Sequence, residues 1–289
     1  MSFLRFLRPA TIAAPITGVA GGAVAATGGM PGDPVGFACA VASAVLLTGA
    51  SNVVNQIADV ETDRINRPDR PLPAGEFTLR QAWWIFAALS IASFALAWRT
   101  GPAFFVCVAV TLPVTAAYSL PPLRTKRIPF LANATIALPR GLLLVVAGWA
   151  AGGGALRPEA WLLGGVAFLY IFGAATTKDF GDVEGDHATG CVTLPILWGA
   201  RRAARFVAPF LVLPFLVYPV AAQLGWLAGG TVAWTVLGIG LATLGACAAL
   251  LLMRNPAPPE NGSPHASWGL MYLQLTIAPI GAAVILVYA

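Results

Sequence analysis

The sequence predicts an all-α membrane protein of nine transmembrane helices. Three observations carry that prediction: a scarcity of charge, a regular series of long apolar stretches, and an uneven placement of basic residues. Of 289 residues, 58% are hydrophobic and 10% charged, where soluble domains carry about 25% charged residues. Apolar stretches able to cross roughly 30 Å of hydrocarbon lie near residues 11–30, 35–57, 79–98, 102–120, 130–150, 160–178, 206–223, 231–253 and 269–288.

The elements follow in order. The first stretch, from Thr11 to Met30, lacks a clear small-residue cleavage site, so it is expected to remain as a helix rather than leave as a signal peptide. No polar stretch between the helices is long enough to bury a second core, so residues 1–289 read as a single transmembrane domain. The Pro- and Asn-rich segment from Arg254 to Ser267 reads as an interhelical loop. Cys39, Cys107, Cys191 and Cys247 have no paired spacing, which supports neither disulfides nor zinc.

Basic residues set the expected orientation. Arg5, Arg8, Arg64, Arg67, Arg70, Arg80, Arg124, Lys126, Arg127, Lys178, Arg201, Arg202, Arg205 and Arg254 fall on the side shared with the amino terminus, and Arg99 and Arg157 fall opposite. The side rich in Lys and Arg is normally cytoplasmic, so the net charge of +5 is a topology signal and gives no support to nucleic-acid binding. All nine tryptophans lie near predicted helix ends and are expected to anchor at the headgroup level.

Five aspartates near membrane depth need a reason, since each costs about 3 kcal/mol at a helix centre. Asn55, Asp59 and Asp63 follow the second apolar stretch at spacings of four and eight, on one helix face; Asp179, Asp182 and Asp186 follow the sixth at spacings of three and seven. Asp59-Val-Glu-Thr-Asp63 matches Asp182-Val-Glu-Gly-Asp186 at a separation of 123 residues, an internal pseudo-repeat near 55–73 and 178–195. Two facing carboxylate clusters repel unless divalent cations lie between them. Oxygen-only ligands suit magnesium completed by phosphate oxygens, so the implied ligand is a diphosphate. Arg64, Arg67, Arg70, Arg124, Lys126, Arg127 and Lys178 stand nearby as its basic clamp. Taken singly, each basic residue has an alternative reading as a mark of the positive side of the membrane or a lipid headgroup contact, and for Arg127, Arg201, Arg202 and Arg205 the two readings weigh equally.

These residues resemble the UbiA superfamily of intramembrane prenyltransferases. Asn55, Asp59 and Asp63 match its first acidic signature, Asp179, Asp182 and Asp186 its second, and Tyr118, Ser119, Pro121, Pro122, Arg124 and Lys126 its Tyr-Ser-x-Pro-Pro-x-Arg-x-Lys signature. The resemblance runs from Arg8-Pro9 past Leu194-Pro195, with one departure: Gln56 stands where Asp is usual. It implies nine helices around a central cavity, a cytoplasmic cap of motif-bearing loops, and magnesium-dependent transfer of an isoprenoid chain from a polyprenyl diphosphate to a lipophilic or aromatic acceptor. Metal ligands would be Asn55, Asp59, Asp63, Asp179, Asp182 and Asp186. Asn55, Arg67, Arg124, Lys126 and Lys178 would hold the diphosphate, and Asp59, Asp63, Asp182, Asp186 and Tyr118 would be catalytic. Tyr118 and Tyr170 are expected to offer π faces to the carbocation.

The string Asn66-Arg-Pro-Asp-Arg-Pro71 looks most like the branch acting on glyceryl phosphate lipids, chlorophyll precursors or homogentisate. The expected setting is a prokaryotic cytoplasmic membrane with the amino terminus and active site on the cytoplasmic side, and membrane lipid as a partner. Alternatives are a cyclase acting on the prenyl diphosphate alone, a cation transporter, and a non-catalytic lipid-binding relative. A transporter would carry charges near the midplane reachable from both sides, whereas the far face here offers only Asp33 and Glu159.

Overall fold

The computed structural model describes residues 2–256 and 265–289, and every regular element among them is helical. The chain opens with α1 (Ser2–Leu7) and α2 (Ala13–Thr27), bent by 52° against each other. Then come α3 (Pro34–Ala58), the short α4 (Val60–Asn66), α5 (Leu79–Thr100) and α6 (Pro102–Ser119). A span from Leu131 to Ala151 is built of α7 (Leu131–Ala137), a π-helical turn (Leu138–Leu143) and α8 (Leu144–Ala151). α9 (Pro158–Ala174) runs into a 3-10 turn (Ala175–Gly181), followed by α10 (Val183–Ala188) and α11 (Leu194–Trp198). α12 (Ala200–Val212), α13 (Val217–Gln223), α14 (Thr231–Arg254) and α15 (Ala266–Val287) complete the bundle.

Eight of these helical spans are long and apolar enough to cross a membrane, and a ninth is reached when α1 and α2 are taken as one broken span. The expected nine are thus present among the described residues, with two corrections. The first is broken where Arg8 takes a left-handed conformation (φ 56°) ahead of Pro9. The seventh begins at Ala200 rather than 206, because Arg201, Arg202 and Arg205 lower local hydropathy while keeping their heads exposed on an amphipathic first turn. Within the expected loop from Arg254 to Ser267, residues 257–264 lie outside the described residues, and Ser267 is already in α15, with His265 accepting its amide as the cap.

Local signals explain the helix starts. Asp33 caps α3 by accepting from Gly36 N at 2.9 Å ahead of Pro34, and Thr78 with Gln81 forms a capping box on α5. Glycine decides the crossing of α2 and α8: a Cβ on Gly22 would stand 2.8 Å from the Cα of Gly148, and one on Gly148 would stand 2.6 Å from the carbonyl oxygen of Gly18. Close backbone approach of this kind is the usual way of packing helices in lipid.

Three apolar cores form among the described residues, the smallest of them around Phe6, Val53, Leu72 and Ala82. The first holds Tyr170, Trp234 and Leu241 of α9 and α14 with Phe215 from the turn between α12 and α13; the second holds Val19, Leu47, Phe104 and Val146 among α2, α3, α6 and α8. Trp149 and Trp234 are buried in protein at 2% and 0% exposure and are therefore packing residues, contrary to the expected belt. Trp83, Trp84, Trp98, Trp161 and Trp226 are exposed near helix ends, as anchors would be. The Asp33–Arg99 pair (3.0 Å) and the Arg5–Glu76 pair (2.9 Å) each join residues that the charge pattern assigned to one common end.

Candidate functional site

Both acidic motifs form where a long helix stops and a short one begins. Asp59 ends α3 and precedes α4 with φ −106° and ψ 11°; Asp182 ends the 3-10 turn and precedes α10 with φ −115° and ψ 7°. Equivalent residues 123 positions apart thus share one backbone conformation. The break turns the expected continuous helical face into two short arcs, so Asp63 and Asp186 lie on α4 and α10 rather than on extensions of the spans. Glu61 and Glu184, between the aspartates, are exposed in both copies.

α4 and α10 pack against each other through reciprocal contacts. Asn66 Nδ2 donates to the Asp182 carbonyl (3.0 Å), its Oδ1 accepts from Gly185 N (2.8 Å), and the hydroxyls of Thr62 and Thr189 are 2.8 Å apart. In the repeat register, Thr62 corresponds to Gly185 and Asn66 to Thr189. Each contact therefore mirrors the other, as across a two-fold axis. The one difference between the two five-residue strings, Thr62 against Gly185, is explained by space: a Cβ on Gly185 would stand 2.6 Å from the Asn66 amide.

Below these helices opens a cavity of about 270 Å³. Of the expected site residues it is lined by Asn55, Asp59, Asp63, Arg67, Tyr118, Lys126, Lys178, Asp179, Asp182 and Asp186. Arg124 does not line it. Held at φ 36°, Arg124 donates to the Ala58 carbonyl (2.9 Å) at the end of α3 and lies 3.7 Å from Asp59, so it braces the first motif from behind. Arg64 is exposed and pairs with Glu61 at 2.7 Å, outside the clamp expected of it. Arg127 donates to the Thr189 carbonyl (3.2 Å), tying the loop after α6 to α10. Tyr170 also lies elsewhere, donating to the Met271 carbonyl and to Gln274 Oε1 beside a smaller apolar pocket. Phe104, Trp268 and Tyr272 share the cavity with Tyr118, and the rings of Trp268 and Tyr272 pack 4.4 Å apart.

Ion pairs organise the polar end. Lys126 bonds Asp59, whose other oxygen accepts from Asn55 Nδ2 at 2.9 Å; Arg70 grips both oxygens of Asp63 at 2.5 and 2.6 Å; Arg67 lies 3.0 Å from Asp182, and Lys178 lies 2.9 Å from Asp179. Burial pulls the Lys126 ammonium below its ordinary pKa, and Asp59 opposes it. Burial pushes Asp186 up to about 7, with Lys178 opposing and Asp179, Asp182 and Asp59 adding to the rise. Such a carboxylate favours a cation beside it.

The donor set fits a hard divalent ion. Asp179 Oδ1 and Asp182 Oδ1 are buried without an aligned hydrogen-bond donor despite their neighbouring cations, and every acidic group is an oxygen ligand. Among the described residues no three acidic, His or Cys side chains converge on one point. Magnesium suits that arrangement, since it takes one or two carboxylates and completes its shell with water and phosphate oxygens.

Gln56, the departure from the acidic signature, faces away from the cavity. At 1% exposure it donates to the Phe6 carbonyl (2.8 Å) and the Asn52 carbonyl (3.2 Å), while Asn52 donates to the Leu7 carbonyl (2.8 Å). Both amides satisfy carbonyls at the end of α1, a structural duty. Sequence reasoning missed Asn66 as the link between motifs, and Arg8, Arg140, Trp268 and Tyr272 as cavity residues. Arg140 carried a usable signal, being a charge inside an apolar run.

Comparison with known proteins agrees with this geometry. The model of the UbiA prenyltransferase family matches residues 14–268. A digeranylgeranylglyceryl phosphate synthase from Thermococcus kodakarensis is 36% identical over 78% of this chain and 81% of its own length. The bacteriochlorophyll synthase 34 kDa chain of Chloroflexus aurantiacus is 39% identical over 56% of this chain and 52% of its own. In structure, a UbiA homolog from Archaeoglobus fulgidus bound to DMAPP and Mg2+ superposes with a TM-score of 0.79 at 20% identity, over 99% of both chains.

Proposed function

This chain belongs to the UbiA prenyltransferase family, and from that premise we propose that it transfers an isoprenoid chain from a polyprenyl diphosphate to a lipophilic acceptor inside the cavity under α4 and α10. The observation that carries the reading is the meeting of both acidic motifs and four basic side chains at one end of a cavity whose other walls include the apolar side chains of Leu47, Phe104, Val108 and Leu144. Asp59, Asp63, Asp179, Asp182 and Asp186, with Asn55, would hold magnesium, which when bound neutralises charge developing on the diphosphate.

The chain's own residues do the rest. Arg67, Lys126 and Lys178 reach the cavity and bind diphosphate oxygens by charge-assisted hydrogen bonds, the guanidinium of Arg67 in bidentate form. Arg124 positions Asp59 and Lys126 through its hold on the end of α3. Apolar walls from Leu47, Phe104 and Val108 exclude water once the allylic C–O bond breaks, and the faces of Tyr118, Trp268 and Tyr272 offer π density to the cation left behind. An acceptor oxygen or ring carbon then forms the new bond to that cation and gives up its proton, which the departing diphosphate can take. The relatives' names place a glyceryl phosphate lipid and a chlorophyll precursor among acceptor classes to try first.

The two motif segments are read as copies of one unit within a single domain, supported by the shared dihedrals at Asp59 and Asp182 and by the mirrored α4–α10 contacts. The motif loops form a cap on the cytoplasmic side of a prokaryotic membrane, supported by the basic side chains gathered at that end. The test is mass spectrometry of purified protein with geranylgeranyl diphosphate, MgCl2 and a panel of lipid-alcohol and aromatic acceptors, beside Asp59→Asn. A magnesium-dependent adduct absent from the variant is expected. Diphosphate release with only a hydrocarbon product would convert the reading to a cyclase, and no release would end it.

A further inference from the structure

Six cationic and five acidic side chains line the cavity, and the four ion pairs described above leave Asp186, Arg8 and Arg140 over. Asp186 belongs to the metal-binding end. The two arginines do not pair with it: among the described residues neither has a carboxylate within 4.0 Å. Arg140 NH1 donates to the Tyr272 hydroxyl at 3.2 Å, which leaves most of its donors free toward the cavity. It follows Pro139 in the π-helical turn, nine residues into its span, or about 14 Å along the helix at 1.5 Å per residue. π turns inside membrane helices commonly mark functional positions. Arg8 lies near enough to Arg140 and Arg70 for their charges to repel it, while Asp63, held by Arg70, attracts it from beyond ion-pair distance. Its accessible surface opens into the same space.

An intramembrane guanidinium without a counter-ion is costly and is retained where a partner arrives. Here it also conflicts with the chemistry, because an allylic cation formed beside Tyr118 would be repelled by Arg140 unless an anion stood between them. The donor's diphosphate has its own cations at the polar end, so the second anion comes with the other substrate. Arg140 also borders the smaller apolar pocket formed with Leu144, Trp149 and Leu163, which places a charged head group next to a dry wall. We propose that Arg140, oriented by Tyr272 and supported by Arg8, is an anion-binding subsite that selects acceptors carrying a phosphate or carboxylate group. The assignment rests on the prenyltransferase reading and deepens it.

The experiment compares matched acid and neutral acceptors by equilibrium titration of the purified full chain in detergent with MgCl2. The pairs are geranylgeranylglyceryl phosphate against geranylgeranylglycerol, and homogentisate against its methyl ester. Tighter binding of the acid member by about 10- to 100-fold is expected in at least one pair, the range that charged hydrogen bonds supply. Arg140→Met should erase that ratio, Arg140→Lys should keep part of it, and Tyr272→Phe should reduce it several-fold. Affinity for geranylgeranyl diphosphate should change by less than about twofold, since that ligand is held elsewhere.

Equal affinities within both pairs overturn the subsite. So does an Arg140→Met variant whose loss falls as heavily on geranylgeranyl diphosphate, which would give Arg140 to the donor. Should Arg140→Met fail to elute as a single species, Arg140→Lys and Tyr272→Phe decide by the same ratio. Failure of the prenyltransferase reading is seen separately, as wild-type protein that releases no diphosphate while the binding ratio remains measurable.

Discussion

The two acidic motifs share a five-residue pattern and a backbone conformation, yet they are held in different ways. In the first, each carboxylate has basic partners from outside its own string: Lys126 and Arg124 at Asp59, and Arg70 at Asp63. In the second, Asp179 has only its neighbour Lys178, Asp182 borrows Arg67 from the first motif's loop, and Asp186 has no ion-pair partner among the described residues. In the repeat register, Arg67 and Arg70 correspond to Gly190 and Thr193. Asp59 and Asp63 are repeated as Asp182 and Asp186, whereas Asp179 falls on Gln56 and these two bases have no basic counterpart. One motif is therefore a braced platform, and the other depends on it, with Asp186 carrying no ion pair among the described residues.

Given that asymmetry, substitutions in the two motifs should fail differently. The largest effect is expected at Asp182→Asn, which removes a cation-facing oxygen: turnover should fall on the order of 10³-fold, comparable to loss of a preorganised electrostatic group, while the purified variant unfolds at the wild-type temperature. Next comes Arg70→Gln, which strands the buried carboxylate of Asp63; about 3–5 kcal/mol of stability should be lost, read as a lower unfolding midpoint in detergent. Equal damage to stability from both variants would remove the distinction between platform and dependent motif.

Gln56→Asp restores the usual family residue at a position that here bonds the Phe6 and Asn52 carbonyls. A carboxylate there repels both oxygens, so about 1–3 kcal/mol should be lost with no gain in rate, measured as midpoint and specific activity together. A rate increase would show that this side chain reaches the metal after all. The smallest effect belongs to the mirrored contact: Thr62→Val and Thr189→Val should each cost about 1 kcal/mol, and the double variant little more than either alone. Additive losses in that cycle would mean that the two motif helices are not coupled through this bond.

Much of this was legible in the chain itself. Apolar runs located the spans, and the spacing of Asp59, Asp63, Asp179, Asp182 and Asp186 located the polar end of the cavity, because buried charge is too costly to be incidental. Arg64, Arg67 and Arg70 were not distinguishable by sequence, since all three follow the same motif at intervals of three. Arg64 stands on the outer face of α4 beside Glu61, and the turn after α4 brings the other two inward. Tyr170 and Trp149 misled for a similar reason: aromatic residues near helix ends suit cavity, core and interface alike.

The sequence by itself determined that the chain is an all-helical membrane protein with two acidic clusters at one end, because hydropathy and charge are properties of each residue wherever it lies. Tertiary structure decided which groups meet: Asn66 against Gly185, Gln56 against Phe6, and Arg140 beside Tyr272 in the cavity. Those pairings depend on distances between segments 50 to 132 residues apart. A linear pattern has no term for that separation, and only packing of the helices supplies one.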